Sequence, residues 1–358
     1  MSILSMSGGT TTLAAIAAAL PAHYERDAIW AQKGTDAAAK RYTLLSPAYM
    51  TVNIDDSGYV LSAQQELDLS AEATWDAVTT DYRVAATRAG KDFYVYACVP
   101  ASGIVPVLKV SANSTVPAGY LSTTSRKVVG FHCLCVAAGT IASHSLTDFA
   151  AGDILPGSIW DLKHRPSCNS EGMAYSSLAN LWVDIYLPSG TGANTASVNG
   201  ATISDTRTWM QFVDDLGAVG KRLLSDPEFQ IVAEGCNQKT NITGSADPVT
   251  TTGHTDTAGR RMLSNIGLED CAGALWQWLS DQSYRYDNDS GTAFAWETLA
   301  DNKGSLYRQN SFGDVKLMAG GGWGDGTICG SRSRHAGCRR AHLGSGIGAR
   351  GCARSRST

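Results

Sequence analysis

After Trp323 the chain runs for 35 positions, 324–358, without one aromatic side chain. The sizeable apolar residues there are Ile328, Leu343 and Ile347, and Lys, Glu, Gln and Met are absent. Such a segment carries too little apolar surface to offset the conformational entropy of ordering itself. Any fixed structure it takes must be lent by the chain before it. That chain is well equipped: 43% of the 358 residues are hydrophobic, enough for two domains with real cores. Seven of the nine tryptophans fall in one stretch, as Trp160, Trp182, Trp209, Trp276, Trp278, Trp296 and Trp323.

The tail's seven arginines face a single acid, Asp325, so the acidity behind the net charge of −4 lies in the body. Nine cysteines are scattered along the chain. None forms a CxxC pair and none has zinc-finger spacing with histidine, which fits reduced thiols in a cytoplasmically made protein. The early run LAAIAAALPAH has the look of a signal-peptide core, yet no basic segment precedes it. Thr10, Thr11 and Thr12 instead offer N-caps to an alanine-rich helix. No other run approaches the ~20 apolar residues of a membrane span.

Residues 1–150 read as a strand-rich module. YMTVNIDDSGYVLSA predicts two short strands about an Asp-Ser-Gly turn. A helix is expected after Ser70, with Trp75, Val78, Tyr82 and Ala85 on one stripe and Gly90 past its end. DFYVYACVP, IVPVLKVSA and KVVGFHCLCVAAG read as further strands, the last placing Cys133 and Cys135 on one face as core thiols.

From about residue 151 the pattern changes. LWVDIYLPSG predicts a strand, and SGTGANTASVNGAT a loop. A helix capped near Ser204 or Asp205 follows, with Trp209, Phe212, Val213 and Leu216 at helical spacing. In GKRLLSDPEFQIVAEG, Ser225 and Glu228 form a capping box with Pro227 in the first turn, so a second helix starts at Ser225. In GLEDCAGALWQWLSD, Leu275, Trp276, Trp278 and Leu279 make an apolar patch that must be buried.

GKRLLSDPEFQIVAEG, GALWQW, GGGW, an arginine-rich stretch and a closing IGARG follow one another over roughly residues 155–358. In that order they resemble the formylglycine-generating variant of the C-type lectin fold. The resemblance implies an α+β chain: a C-type-lectin-like domain over 151–358, preceded by the strand-rich module of 1–150. Within that fold the chain is most similar to the variable proteins of diversity-generating retroelements, which include phage receptor-binding tail proteins. In that family a mutagenic reverse transcriptase turns AAC codons into NNC, which never encode Lys, Gln, Glu, Met or Trp. All five are among the residues missing after Trp323.

The resemblance implies a variable region at about 323–358 in which a fixed frame carries a changeable surface. Framework residues are then Gly322 and Trp323 on one strand, Ile347, Gly348 and Arg350 on its partner, Trp276 and Trp278 beneath, and Arg332 and Arg334 as struts. An arginine's five donors suit it to tying irregular loops to carbonyls and carboxylates. The changeable candidates are Asp325, Thr327, Ile328, His335, Gly337, Cys338, Arg340, His342, Leu343 and Ser345. The expected function is recognition of a bacterial surface receptor, protein or glycan, from a phage tail or, alternatively, from a bacterial cell surface. The N-terminal module would attach to other virion tail proteins, and weak contacts argue for a homo-oligomer, plausibly a trimer.

Two other functions compete. A formylglycine-generating oxidoreductase needs a closely spaced reactive cysteine pair, which Cys329, Cys338 and Cys352 do not supply. A nucleic-acid-binding tail would interleave aromatics with its arginines, and this one does not. No cofactor is expected and no catalytic residue is assigned. Calcium stays open on Asp287, Asp289 and Gly291 of DNDSG, although the later glutamate of a calcium loop is missing. His335 and His342, seven apart in a loop-like context, read as surface residues rather than metal ligands.

Overall fold

The computed structural model describes residues 23–24, 30–34, 41–285, 295–298, 302–308 and 313–356. The alanine-rich N-terminal helix expected after Thr12 and the DNDSG stretch lie outside the described residues. Packing divides the chain into two units, Met1–Thr87 with Phe93–Gly130, and Arg88–Asp92 with Phe131–Thr358.

The first unit is built on strands. β1 (His23–Tyr24), β4 (Met50–Ile54) and β5 (Ser57–Leu61) form one sheet, and β2 (Ala31–Gln32), β3 (Thr43–Leu45) and β6 (Glu66–Asp68) another. β7 (Asp92–Cys98), β8 (Val107–Ser111) and β9 (Ser125–His132) lie side by side in the order β9-β7-β8. The β4–β5 hairpin forms as its alternation implies, but its turn is Asp55–Asp56, with Asp55 at φ 52° and Ser57 already paired to Ile54. Aspartate tolerates that left-handed position better than most residues.

The continuous helix expected after Ser70 is absent. Glu72–Thr74 is a single 3₁₀ turn, Trp75 is extended, and only Ala85–Arg88 (α1) is helical, with Gly90 just beyond it. Tertiary packing overrides the stripe: Trp75, Tyr82 and Phe93 close into an aromatic trio with ring centroids 5.1–5.4 Å apart. The Trp75 indole N–H also donates to the Leu69 carbonyl at 3.0 Å. β9 ends at His132, so Cys133 and Cys135 are not strand neighbours, although both are buried.

The second unit carries most of the helix and two sheets. Its elements are β10 (Trp160–Asp161), β11 (Met173–Ser176), β12 (Leu181–Asp184), α2 (Trp209–Ala218), β13 (Arg222–Leu223), α3 (Asp226–Val232) and β14 (Trp276–Arg285). Then come β15 (Ala295–Thr298), β16 (Ser305–Arg308), β17 (Gly313–Gly320), β18 (Gly330–Arg339), β19 (Ile347–Ala349) and β20 (Gly351–Arg354). One sheet runs β11-β12-β20-β13 and the other β15-β16-β18-β17-β14-β19. The fold is α+β, and the tail supplies three of its strands.

Local chemistry accounts for both helices. The α3 start follows the predicted capping box: the Ser225 N–H donates to the Glu228 carboxylate at 2.8 Å, and Pro227 sits in the first turn. The Arg222 guanidinium grips the same carboxylate at 2.7 and 2.8 Å. The α2 cap is Thr208, not Ser204 or Asp205, because Gln211 three residues on completes its box. Phe212 and Leu216 of α2 are buried while Val213 is 37% exposed, so the apolar stripe is narrower than the sequence suggested.

Along β14 the pleat separates two environments. Trp276 and Trp278 pack with Phe212, Leu216, Leu223, Met318 and Ile347. Gln277, fully buried, faces the other way.

Candidate ligand-binding site

The site begins where β17 ends. Gly320 and Gly321 have φ near +95° and +92°, and a Cβ on Gly321 would lie 2.6 Å from the Cys329 Sγ. Only glycine lets the chain pass there. Gly322 packs against Trp276, whose Cδ1 would be 3.2 Å from an added Cβ. Trp323 is half-buried between one cluster of Leu187, Ile203 and Leu275 and another of Ile242, Met262 and Ala274. Its carbonyl accepts a hydrogen bond from the Asn241 amide.

The arginines divide by task. Arg350 is 1% exposed: Nε donates to Gln277 Oε1 at 3.0 Å, and one terminal nitrogen donates to the carbonyls of Asp184 and Ile185 at 2.8 and 2.9 Å. The other terminal nitrogen reaches the Glu269 carbonyl at 2.5 Å. Arg334, 5% exposed, donates from Nε to Asp226 at 2.6 Å and from Nη1 to the carbonyls of Ser331 and Ser333. Its guanidinium lies 5.3 Å from the centre of the Phe229 ring. Arg332 is half-buried and its backbone N–H pairs with Lys303. Gly348 fits beside Leu275, and Ile347 joins the tryptophan cluster.

Between these fixtures the chain is held by its backbone. The N–H groups of Trp209, Thr206 and Trp276 donate to the carbonyls of Arg340, Gly344 and Gly346 at 3.1, 3.2 and 3.0 Å. Lys239 N–H reaches the Cys329 carbonyl at 2.8 Å, and Gln238 Oε1 accepts the Ser331 N–H at 3.2 Å. Backbone bonds of this kind exist whatever side chain the position carries.

The ten candidate positions separate in depth. Thr327, Arg340, His342, Leu343 and Ser345 are exposed. Asp325, Ile328, His335 and Cys338 are half-buried, and Gly337 is buried. The Asp325 carboxylate accepts the Gly322 N–H at 2.7 Å, tying the glycine strand to the loop after it. The His335 ring meets Trp276 edge-on with centroids 5.6 Å apart, and burial presses its pKa down to about 4.

Several partners of the site carry no sequence signal. Gln277, Gln238, Asn241 and Asp226 are scattered single polar residues, and Asp226 reads only as part of a helix start. Gln277 and Asn241 are buried and Gln238 and Asp226 half-buried, and each takes its role from the tail group it hydrogen-bonds.

Burial holds the tail's thiols in their protonated form. Cys329 donates to the Gly322 carbonyl, and burial pushes Cys329 and Cys352 up to about 12 and Cys338 to about 11. A reactive cysteine needs the opposite shift. All nine cysteines are free. Among the described residues no group of three or more His, Cys, Asp or Glu side chains is placed to hold a metal ion.

The fold is C-type-lectin-like, with a tail fastened through backbone hydrogen bonds, and the chain is similar to the variants of the major tropism determinant. The known proteins it is similar to are specific. Residues 50–161 match the Mtd second domain. Over 272 residues, 69% of this chain and 67% of the relative, it is 28% identical to the tail fiber receptor-binding protein of Bordetella phage BPP-1. Among solved structures, the P3c variant of the major tropism determinant matches with a TM-score of 0.66 at 25% identity, over 92% of this chain and 86% of that one. The U1 variant matches with a TM-score of 0.65 at 24% identity over the same shares.

Proposed function

We propose that this chain is a receptor-binding protein of a phage tail, with residues from about 323 forming a surface rewritten by a retroelement. The observation that carries the reading is the mode of anchoring. Residues 339–346 are fastened through carbonyls to Trp209, Thr206 and Trp276, while Arg340, His342, Leu343 and Ser345 face solvent. These carbonyl anchors hold whatever side chain the position carries. The kinship with a tail fiber receptor-binding protein supplies the biological setting.

On this reading the partner is a bacterial surface protein or glycan, and the protein resides on the virion. Residues 1 to about 150 join it to other tail proteins, and a homo-oligomer, a trimer by preference, multiplies weak contacts. The protein binds rather than catalyses, and it needs no cofactor. The test is a library at positions 327, 340, 342, 343 and 345, displayed on otherwise identical particles and passed over different hosts. Selection of distinct tails by distinct hosts is expected. Adsorption that ignores all five positions would sink the proposal.

A further inference from the structure

The imidazole of His335 does not project from the surface as Arg340, His342 and Leu343 do. It makes a T-shaped contact with Trp276, ring planes at 71° and centroids 5.6 Å apart. Trp276 is only 8% exposed and stacks on Trp296 at 5.9 Å and 19°. Met318, the register partner of His335 on β17, belongs to the same apolar cluster, with Trp209 and Cys338 packed against it. The His335 Nδ1 accepts the Gly337 N–H at 3.2 Å, which makes the ring neutral with its proton on Nε2.

One side chain, then, covers the face of a paired-tryptophan floor. We propose that residue 335 is the plug of an aromatic-lined pocket, and that a small residue there opens a site for an aromatic side chain of a protein receptor. The inference rests on the reading that position 335 is open to diversification. The occupant is chosen by what fills the place now: a planar, neutral ring in a T-shaped contact with the indole, an arrangement aromatic pairs favour. The Lys316 ammonium lies 4.3 Å from the centre of the Trp209 ring, which disfavours a cationic guest in the same cluster. Tail variants therefore fall into two kinds. Plugged ones read a receptor with the outer residues Arg340, His342 and Leu343. Open ones add a deep aromatic contact, the type of anchored group that dominates binding energy.

The test uses the full chain as wild type, His335→Ala and His335→Phe. Imidazole and indole are titrated above neutral pH, and Tm and tryptophan fluorescence are followed. The expected result is a lower Tm for His335→Ala that climbs saturably with either ring, as a ligand that binds only the folded state requires. Wild type and His335→Phe should not respond. A flat Tm for His335→Ala, or an equal rise in all three proteins, would overturn the pocket. If His335→Ala fails to fold alone, refolding in imidazole must recover soluble protein, and failure to do so also overturns it. Ring uptake by His335→Ala establishes the pocket whatever the adsorption assay returns, whereas host-blind adsorption counts against the receptor reading alone.

Discussion

The Nε–H of Arg350 donates to Oε1 of Gln277 at 3.0 Å, and neither side chain reaches solvent. This bond fastens the end of the tail to the middle of the tryptophan strand. A guanidinium inside the arginine-rich tail is thus part of the core, and three of its four remaining donors are used on backbone carbonyls.

Arg350→Met should cost about 3–5 kcal/mol, because it leaves buried acceptors on Asp184, Ile185, Glu269 and Gln277 without donors. Arg350→Lys should recover little of this, since an ammonium cannot reproduce the fork. Denaturant unfolding of both variants checks the point, and a near-neutral Arg350→Met would refute the strut.

Alanine at Thr327, His342, Leu343 or Ser345 should change stability by no more than about 0.5 kcal/mol, as expected of exposed positions. Trp276→Ala should cost about 3–5 kcal/mol through the cavity it leaves. Comparable losses in the two groups, read by thermal unfolding, would dissolve the division between surface and frame.

The depressed pKa of His335 has a definite sign in a stability profile. The folded chain holds the ring neutral down to about 4, whereas the unfolded chain takes up a proton near 6.5. Stability from this group is therefore full above about pH 6.5 and falls as pH drops from there toward 4. His335→Phe should remove that part of the slope, and superimposable Tm–pH curves for the two proteins would contradict the burial argument.

At the start of α3 the sign is that of a paired acid. The Arg222 guanidinium and the Ser225 hydrogen bonds hold Glu228 down to about 2. Its contribution is present above the usual carboxylate range, near 4.5, and disappears as pH falls through about 2. Glu228→Gln should lower Tm at neutral pH and converge with wild type in acid. Convergence at neutral pH instead would show that the Glu228 charge contributes nothing, since glutamine can still complete the capping box.

Thiol titration of the native protein at neutral pH should be slow, with Cys168 and Cys338, the two half-buried thiols, reacting before the other seven. Burial pushes both up to about 11, so even these lack the thiolate a formylglycine-type reaction would require. A fast-reacting Cys329 or Cys352 would reopen that reaction.

Much of the second unit was legible because its signals are local. The α3 cap is written in Ser225, Pro227 and Glu228, and burial of Leu275, Trp276, Trp278 and Leu279 follows from their density. The helix expected after Ser70 failed for the opposite reason: Trp75 and Tyr82 share a helical stripe but are drawn to Phe93, a partner ten or more residues away that no window reveals. In the site, composition exposed the tail as a dependent segment, but not its depth. His335 and His342 look alike in the sequence, and only the placement of Trp276 sets one ring against the core and leaves the other in solvent. Gln277 was silent because a buried amide announces itself only through its partner.

β20 lies between β12 and β13, pairing Cys352 with both Val183 and Arg222. That places an interior sheet strand at the far end of the stretch proposed for rewriting, beyond the last candidate surface position, Ser345. A single-base insertion, a deletion or a stop codon anywhere in residues 324–346 would replace or delete this strand and leave β12 and β13 without the partner between them. Substitutions pass and frame errors do not. On the proposed function the fold would thereby act as a proofreader of its own message, because a chain from a faulty copying event would lack the strand that joins β12 to β13.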